Sequence, residues 1–358
     1  MSERFRIIDC DGHILEREED IRLYLEPPFD GRGTQLWGQP DQPWDSRLFQ
    51  TLGLQDKAIR LTAAEAADAW LRVMDEQGIE AAVIFPTGAG NMAGLRERDF
   101  ARAVTRAYND YVAREYAARS PRLLPVGVLP LRYPQDAAEE LRRAREELGL
   151  VSFELIAMNL KLPLGDDFYD PLYAEAERLD VPLCVHASRT PAAELGAGDM
   201  TTFAEVHAYC MMASIQLQFT SILFKGVPTR FPRLRLAFLE VGASWVVPYL
   251  DRLDEHWSLR GRVECPDLPR RPSDVVREMP YYFSIEPGET LLPETVAFLG
   301  AQHFMYASDY PHWDSEFPHN IDELRDHPRL TDADKTRIFY DNARELYALN
   351  VPAKLGVG

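Results

Sequence analysis

The chain has 358 residues, of which 46% are hydrophobic and 27% charged, so it can bury a large core without disulfides. Its 39 Lys and Arg against 57 Asp and Glu give a net charge of −18, which disfavours nucleic acids and anionic membranes as partners because both attract basic side chains. Four cysteines without C-x-x-C spacing, no signal-like N-terminal apolar stretch and no apolar run of about 18 residues predict a cytoplasmic protein without membrane spans.

Short apolar segments alternate with longer amphipathic ones along the chain. The predicted strands are 6–11, 81–86, 123–129, 151–157, 181–187, 235–240, 281–285 and 303–309. Helical patterns cover 63–77, 99–118, 134–148 and 170–179. Such alternation predicts βαβ units, and eight strands favour a (β/α)8 TIM barrel, a single domain over 1–358, rather than an open sheet. No G-x-G-x-x-G follows the first strand, which argues against a Rossmann fold.

Two segments are longer than a barrel requires. Residues 17–60, after strand one, are rich in Pro, Gly and Trp, and residues 188–232, between strands five and six, have a mostly helical pattern. Long connections in compact domains are usually functional, and barrel active sites are built from loops at the C-terminal strand ends. We therefore expect both insertions to cover the barrel mouth, with Trp37 or Trp44 and His207 near the pocket.

Side chains that can bind metals stand at the ends of three predicted strands. Strand one ends with Asp11 and His13, whose spacing puts both on one side; strand five ends with His186 and strand eight with Asp309. One such residue at a strand end is a common coincidence. The joint pattern predicts a metal site, because these strand ends meet at the barrel mouth and imidazole and carboxylate both bind divalent transition metals.

The order D-x-H, His and S-D-Y-P on strands one, five and eight resembles the amidohydrolase-related family of the amidohydrolase superfamily, in the branch of the aminocarboxymuconate semialdehyde decarboxylases. The supporting stretches are 231–235, 245–254, 306–314 and 342–347. The resemblance spans nearly the whole chain. It implies that Asp11, His13, His186 and Asp309 surround a divalent metal (Zn, Mn or Fe), one per chain being favoured over two. We also expect a small-molecule substrate and a homodimer.

Three reactions remain open at this point. The leading prediction is a metal-dependent hydrolase, in which Asp309 takes a proton from a metal-activated water and returns it to the leaving group. A non-oxidative decarboxylase is the first alternative, although Glu240 replaces the His that the superfamily often has at the end of strand six. A dinuclear Fe or Mn oxygenase is the second, with Glu16, His207 and Glu240 binding a second metal. A non-enzymatic binding protein is disfavoured, because four such ligands normally leave a coordination position open.

Three further side chains are candidates for acid–base work beside Asp309. Glu240 suits a base or a metal ligand, and the simpler alternative is a hydrogen-bonded carboxylate at the barrel rim. His207 lies in an apolar helical stretch and is equally consistent with a packed histidine. His312, three residues after Asp309, is expected to line the pocket. Lys161 lies too far beyond strand four to act as a bridging carbamylated lysine.

Overall fold

The computed structural model describes residues 5–37, 61–188 and 192–349. All eight predicted strands are present within these ranges, some of them shorter than predicted. They are β1 Ile7–Ile14, β2 Ile79–Pro86, β3 Leu123–Pro125, β4 Phe153–Ile156, β5 Leu183–His186, β6 Leu236–Leu239, β7 Tyr281–Ile285 and β8 Phe304–Tyr306.

Helices follow the strands along the chain. They are α1 Glu18–Arg22, α2 Ala63–Gln77, α3 Arg98–Val112, α4 Pro134–Arg143, α5 Asp170–Leu179, α6 Phe203–Phe224, α7 Val227–Arg230, α8 Val246–Glu264, α9 Pro272–Glu278, α10 Leu292–Leu299, α11 His319–Asp326, α12 Asp332–Thr336 and α13 Asn342–Leu346. Helix α2 shows why the sequence sets such boundaries: Thr62 and Glu65 form a capping box at its start, and Gly78, with φ of 74°, ends it in the left-handed conformation.

The strands pair in parallel and in chain order, which gives a (β/α)8 barrel. The ladders join β1 to β3 and β4 to β8. Gly127, just after β3, bridges in parallel to Phe153 of β4. On the opposite side the backbone N–H of Asp309 donates to Asp11 O (2.9 Å), and that of His13 donates to Tyr310 O (2.7 Å). These contacts connect the two ladders on both sides.

The barrel interior is filled by small and apolar side chains from alternate strand positions, as period-two strands require. Cys10 of β1 and Cys184 of β5 are both fully buried in this interior cluster. Tyr347, just after α13, donates its hydroxyl to Cys10 O at 3.1 Å. The segment after α13 is therefore hydrogen-bonded to β1 and packs against the interior of the barrel.

The insertion between β5 and β6 contains the 22-residue helix α6 and the short helix α7, in agreement with its helical pattern. The insertion after β1 is described to Trp37, and Trp44 lies outside the described residues. A Cβ placed on Gly88 would lie 2.9 Å from Trp37 Nε1, so this indole packs on the loop that follows β2. Coverage of the barrel mouth by 17–60 and 188–232 stays a prediction. None of the described helices is long and apolar enough to cross a membrane.

Candidate metal centre

Four side chains from three strand ends converge on one point. Asp11 and His13 come from β1, His186 ends β5, and Glu240 directly follows β6. The Glu240 Oε2 atom lies 3.1 Å from His186 Nε2 and 3.4 Å from His13 Nε2. The Asp11 Oδ1 atom lies 3.5 Å from His186 Nε2 and 3.7 Å from His13 Nε2. We call these four residues the first cluster.

The local backbone of β1 explains how two ligands fit on one strand end. The register with β2 shifts between Asp9 and Gly12, and such bulges re-aim side chains. Asp9 is thereby separated from the first cluster, and its Oδ1 accepts hydrogen bonds from the backbone N–H of Ser308 and Asp11. A Cβ on Gly12 would lie 2.3 Å from the ring of Trp70, so the close approach of this ring requires glycine.

The donor atoms of the first cluster fit a divalent cation. Asp11 Oδ1, His13 Nε2, His186 Nε2 and Glu240 Oε2 are all buried and make no hydrogen bond, and leaving such groups unsatisfied costs about 1–3 kcal/mol each. The other ring nitrogen of each histidine faces a backbone carbonyl: His13 Nδ1 lies 3.3 Å from Pro86 O, and His186 Nδ1 3.2 Å from Ala187 O. This arrangement is typical of histidines that bind metal through Nε2.

The charges of the first cluster also favour a cation. Burial lowers the pKa of His13, but the Asp309 and Glu240 carboxylates outweigh burial and raise this pKa to about 10. Burial likewise opposes the charged form of His186, whereas Glu240 and Asp11 raise its pKa well above the ordinary value. Burial favours protonated Glu240, but His186 and His13 hold its pKa well below the usual range. The carboxylates thus create a strongly negative site that attracts positive charge.

Asp309 lies at the same centre, in a group of converging donors that it forms with His13, Glu240 and His312, and its role as a metal ligand stays a prediction. Asp309 Oδ1 is 3.2 Å from His13 Nε2 and 2.6 Å from His312 Nδ1. Its side chain is 27% exposed, against 1% for Asp11. Asp309 and Glu240 both have left-handed backbones, with φ of 52° and 84°. Such conformations are costly for residues other than glycine and concentrate at functional sites.

His312 contacts the first cluster through the ring of His13, and its predicted place in the pocket stays a prediction. Its ring stacks on that of His13 with centroids 3.8 Å apart. Its Nε2 lies 3.1 Å from Thr87 Oγ1, and its Nδ1 faces Asp309 and also Glu240, whose Oε1 is 3.8 Å away. We call Asp309 and His312 the rim pair.

The predicted second-metal set of Glu16, His207 and Glu240 is not assembled, which corrects that expectation. Both Glu16 oxygens accept backbone hydrogen bonds, from Thr87 N at 2.9 Å and Gly88 N at 3.0 Å, so Glu16 fixes the loop after β2. His207 on α6 lies 3.8 Å from Asp314 Oδ2 and stacks on Phe203. Among the described residues, neither Glu16 nor His207 belongs to a group of converging metal-binding side chains.

A cavity of about 350 Å³ opens beside the centre and is lined by Asp11, Glu240 and Asp309. Glu286 and Asp314 also line this cavity. Burial and the neighbouring carboxylates raise the pKa of Glu286 to about 7 and that of Asp314 to about 6. The cavity is therefore strongly acidic and large enough for a small organic molecule.

Sequence reasoning missed Glu154 on β4. It is 4% exposed, and its Oε2 makes no hydrogen bond. A Cβ on Gly90 would lie 2.4 Å from that oxygen, and burial raises the pKa of Glu154 to about 7. In the sequence, Glu154 stands out as a single acidic residue within the apolar run of predicted strand four. Thr87, Glu286 and Asp314 gave no comparable signal, because they lie in loops whose course the sequence does not show.

Comparison with known proteins finds relatives over nearly the whole chain. The amidohydrolase family profile matches residues 8–349. The gamma-resorcylate decarboxylase of Rhodococcus jostii is 29% identical over 342 residues, which cover 87% of this chain and 92% of that enzyme.

Two solved structures share the fold. The 5-carboxyvanillate decarboxylase of Novosphingobium aromaticivorans, complexed with manganese, has a TM-score of 0.74 at 18% identity and 97% coverage of both chains. The dihydroxybenzoic acid decarboxylase of Polaromonas, also with bound manganese, has a TM-score of 0.70 at 20% identity, covering 97% of this chain and 98% of that one.

Proposed function

Because this chain belongs to the amidohydrolase family, we propose that it is a metal-dependent, non-oxidative decarboxylase of a small carboxylic acid. The observation that carries the proposal is the first cluster, with four unpaired donor atoms beside a small cavity. The curated relatives named decarboxylases favour this reaction over the hydrolysis that we predicted first. Manganese, found in two of the solved decarboxylases, is the metal to test first.

The first cluster would hold the ion through Asp11, His13, His186 and Glu240. When bound, a divalent ion supplies positive charge that binds the substrate carboxylate and stabilises the negative charge left on carbon. Glu240 is suited to this ligand role because its Oε2 converges with His13 Nε2 and His186 Nε2. It is unsuited to protonating carbon, because a carboxylate beside a bound cation is held in its ionised form. The absence of a histidine at the end of strand six therefore leaves open which residue donates the proton, but it does not weaken the case for metal binding.

Asp309 is the best-placed proton donor. Of the carboxyl groups at the centre it is the most exposed to the cavity, at 27% of its side chain against 9% for Glu240. Its hydrogen bond with His312 Nδ1 at 2.6 Å fixes its orientation. In the reaction the bond between carbon and the carboxyl group breaks, CO₂ leaves, and the electron pair stays on carbon. Asp309, which is exposed enough to take up a proton from solvent, passes that proton to the carbon and forms the new C–H bond. This balances without an oxidant or a second substrate.

The test is solvent-isotope labelling with a panel of hydroxybenzoates that includes 2,6-dihydroxybenzoate. Manganese-loaded protein in D₂O should release CO₂ and give a product with one deuterium at the carbon that lost it, measured by NMR and mass spectrometry. Protein stripped of metal is the matched control and should be inactive. Hydrolysis of ester or amide probes, together with no CO₂ from the whole panel, would contradict decarboxylation.

A further inference from the structure

We propose that Asp9 is a positioning residue, which sets the distance between the β1 side and the β8 side of the metal centre. Its side chain is fully buried in the barrel. Among the described residues, Asp9 belongs to no group of converging metal-binding side chains, so it acts on the centre through other residues. The inference rests on the metal binding of the proposed function and is independent of the reaction that follows.

Asp9 lies at the seam where the barrel closes between β1 and β8. Within the described ranges, the two ladders of backbone hydrogen bonds end at these two strands, and no ladder joins them to each other. At the seam the Asp9 Oδ1 atom accepts a hydrogen bond from Ser308 N at 3.0 Å and another from Asp11 N at 3.3 Å. A side-chain oxygen therefore supplies part of the pairing that backbone carbonyls supply within a ladder.

The hydrogen bonds at the seam form a closed ring that includes a residue of the first cluster. Asp11 N and Ser308 N both donate to Asp9 Oδ1, and Asp309 N donates to Asp11 O at 2.9 Å. The ring holds the backbone of Asp11 against the segment that carries Asp309. Because the side chains of a metal site must be held to within about 0.5 Å of their working geometry, the distance between these two segments matters for the ion.

The hydrogen bonding of Asp9 at the seam depends on one atom. Its Oδ2 is buried and makes no hydrogen bond, so both bonds use Oδ1. The register of β1 shifts between Asp9 and Gly12, and such bulges re-aim side chains. An amide oxygen can take the place of Oδ1, whereas an aliphatic side chain cannot accept a hydrogen bond. The positioning role can therefore be separated from the filling of space in the core.

The experiment compares Asp9→Ala, which removes the acceptor, with Asp9→Asn, which keeps an oxygen in its place. Competition with a chelator measures Mn²⁺ affinity. We expect Asp9→Ala to weaken binding about 10–100-fold, the range for groups that orient metal ligands, and Asp9→Asn to bind as the wild type does. The electron paramagnetic resonance spectrum of bound Mn²⁺ should change in Asp9→Ala and keep its wild-type form in Asp9→Asn. Asp9→Leu fills the space that alanine leaves and replaces Asp9→Ala if that variant does not fold.

The matched control is Asn342→Ala. Asn342 is also fully buried, and its Nδ2 also joins two backbone positions, because it donates to Ala301 O and Phe304 O at 2.7 Å. It contacts the start of β8, however, and not the end that leads to Asp309. Asn342→Ala should lower the melting temperature and leave both the Mn²⁺ affinity and the spectrum unchanged.

Wild-type affinity and spectrum in Asp9→Ala would overturn the proposal, as would an equal loss of affinity in Asp9→Asn or in Asn342→Ala. None of these measurements uses catalysis, so a failure of the decarboxylation proposal leaves them interpretable. Wild-type protein that binds no Mn²⁺ would instead overturn the proposed function, and this inference with it.

Discussion

The first cluster and the rim pair lie side by side but differ in burial and hydrogen bonding. In the first cluster Asp11 and His13 are 1% exposed, and the four converging donor atoms make no hydrogen bond. In the rim pair Asp309 is 27% exposed, and its Oδ1 is bonded to His312. Sealed, unpaired donors suit permanent binding of a cation. Exposed, hydrogen-bonded groups suit exchange of protons or ions with the cavity. The difference predicts which substitutions remove metal and which remove only turnover.

The largest effect is expected at the rim. Asp309→Asn keeps the shape of the side chain but cannot give up a proton, so the rate of decarboxylation should fall about 10²–10⁴-fold, the usual contribution of a general acid. The metal ion should remain bound, which metal analysis of the variant would check. If Asp309→Asn loses that ion as well, the sharp division between the first cluster and the rim pair is wrong, and Asp309 is a ligand of the metal ion.

Removal of a buried donor should act on metal binding first. His186→Ala should weaken binding of the metal ion by more than about 100-fold, because changes to groups that merely orient ligands already cost about 10–100-fold. Competition with a chelator of known affinity measures this. His207→Ala is the matched control, since His207 belongs to no group of converging metal-binding side chains among the described residues. The affinity of this variant for the metal ion should equal that of the wild type. Equal losses in the two variants would contradict the proposed centre.

Glu240→Gln tests the residue that connects the two regions. From the sequence alone we expected this change to cripple turnover and leave the metal in place. The structure revises that expectation, because Glu240 Oε2 lies within 3.4 Å of both His13 Nε2 and His186 Nε2. Loss of its charge should weaken binding of the metal ion by about 10–100-fold, the range seen for changes near metal ligands. Unchanged metal affinity with lost turnover would restore the original interpretation.

Strand positions were predictable from the sequence, whereas side-chain partners across loops were not. The alternation of apolar and amphipathic segments located all eight strands, and the strand ends located Asp11, His13, His186 and Asp309. Asp9 is spaced from Asp11 as His13 is, so period-two alternation would place it on the same side, but the bulge in β1 gives this residue different partners. Glu16 was misjudged for a similar reason: its use depends on the backbone of the loop after β2, which no local pattern specifies.

The most direct test of the buried character of the first cluster is the pH dependence of metal affinity. In the metal-free protein the Asp309 and Glu240 carboxylates raise the pKa of His13 to about 10 against the effect of burial, and Glu240 and Asp11 raise that of His186. Both imidazoles are therefore protonated at neutral pH, and a cation must displace those protons in order to bind. Affinity should rise with pH by about tenfold per unit for each proton displaced, up to a pH of about 10 for His13.

Calorimetric titration with Mn²⁺ in buffers of different ionisation enthalpy would count the released protons. In Asp309→Asn one of the two carboxylates that raise the pKa of His13 is neutral, so this pKa should fall and the proton release should be smaller. An affinity independent of pH between 6 and 8 would mean that the imidazoles are already neutral, and that burial, not the carboxylates, dominates the first cluster.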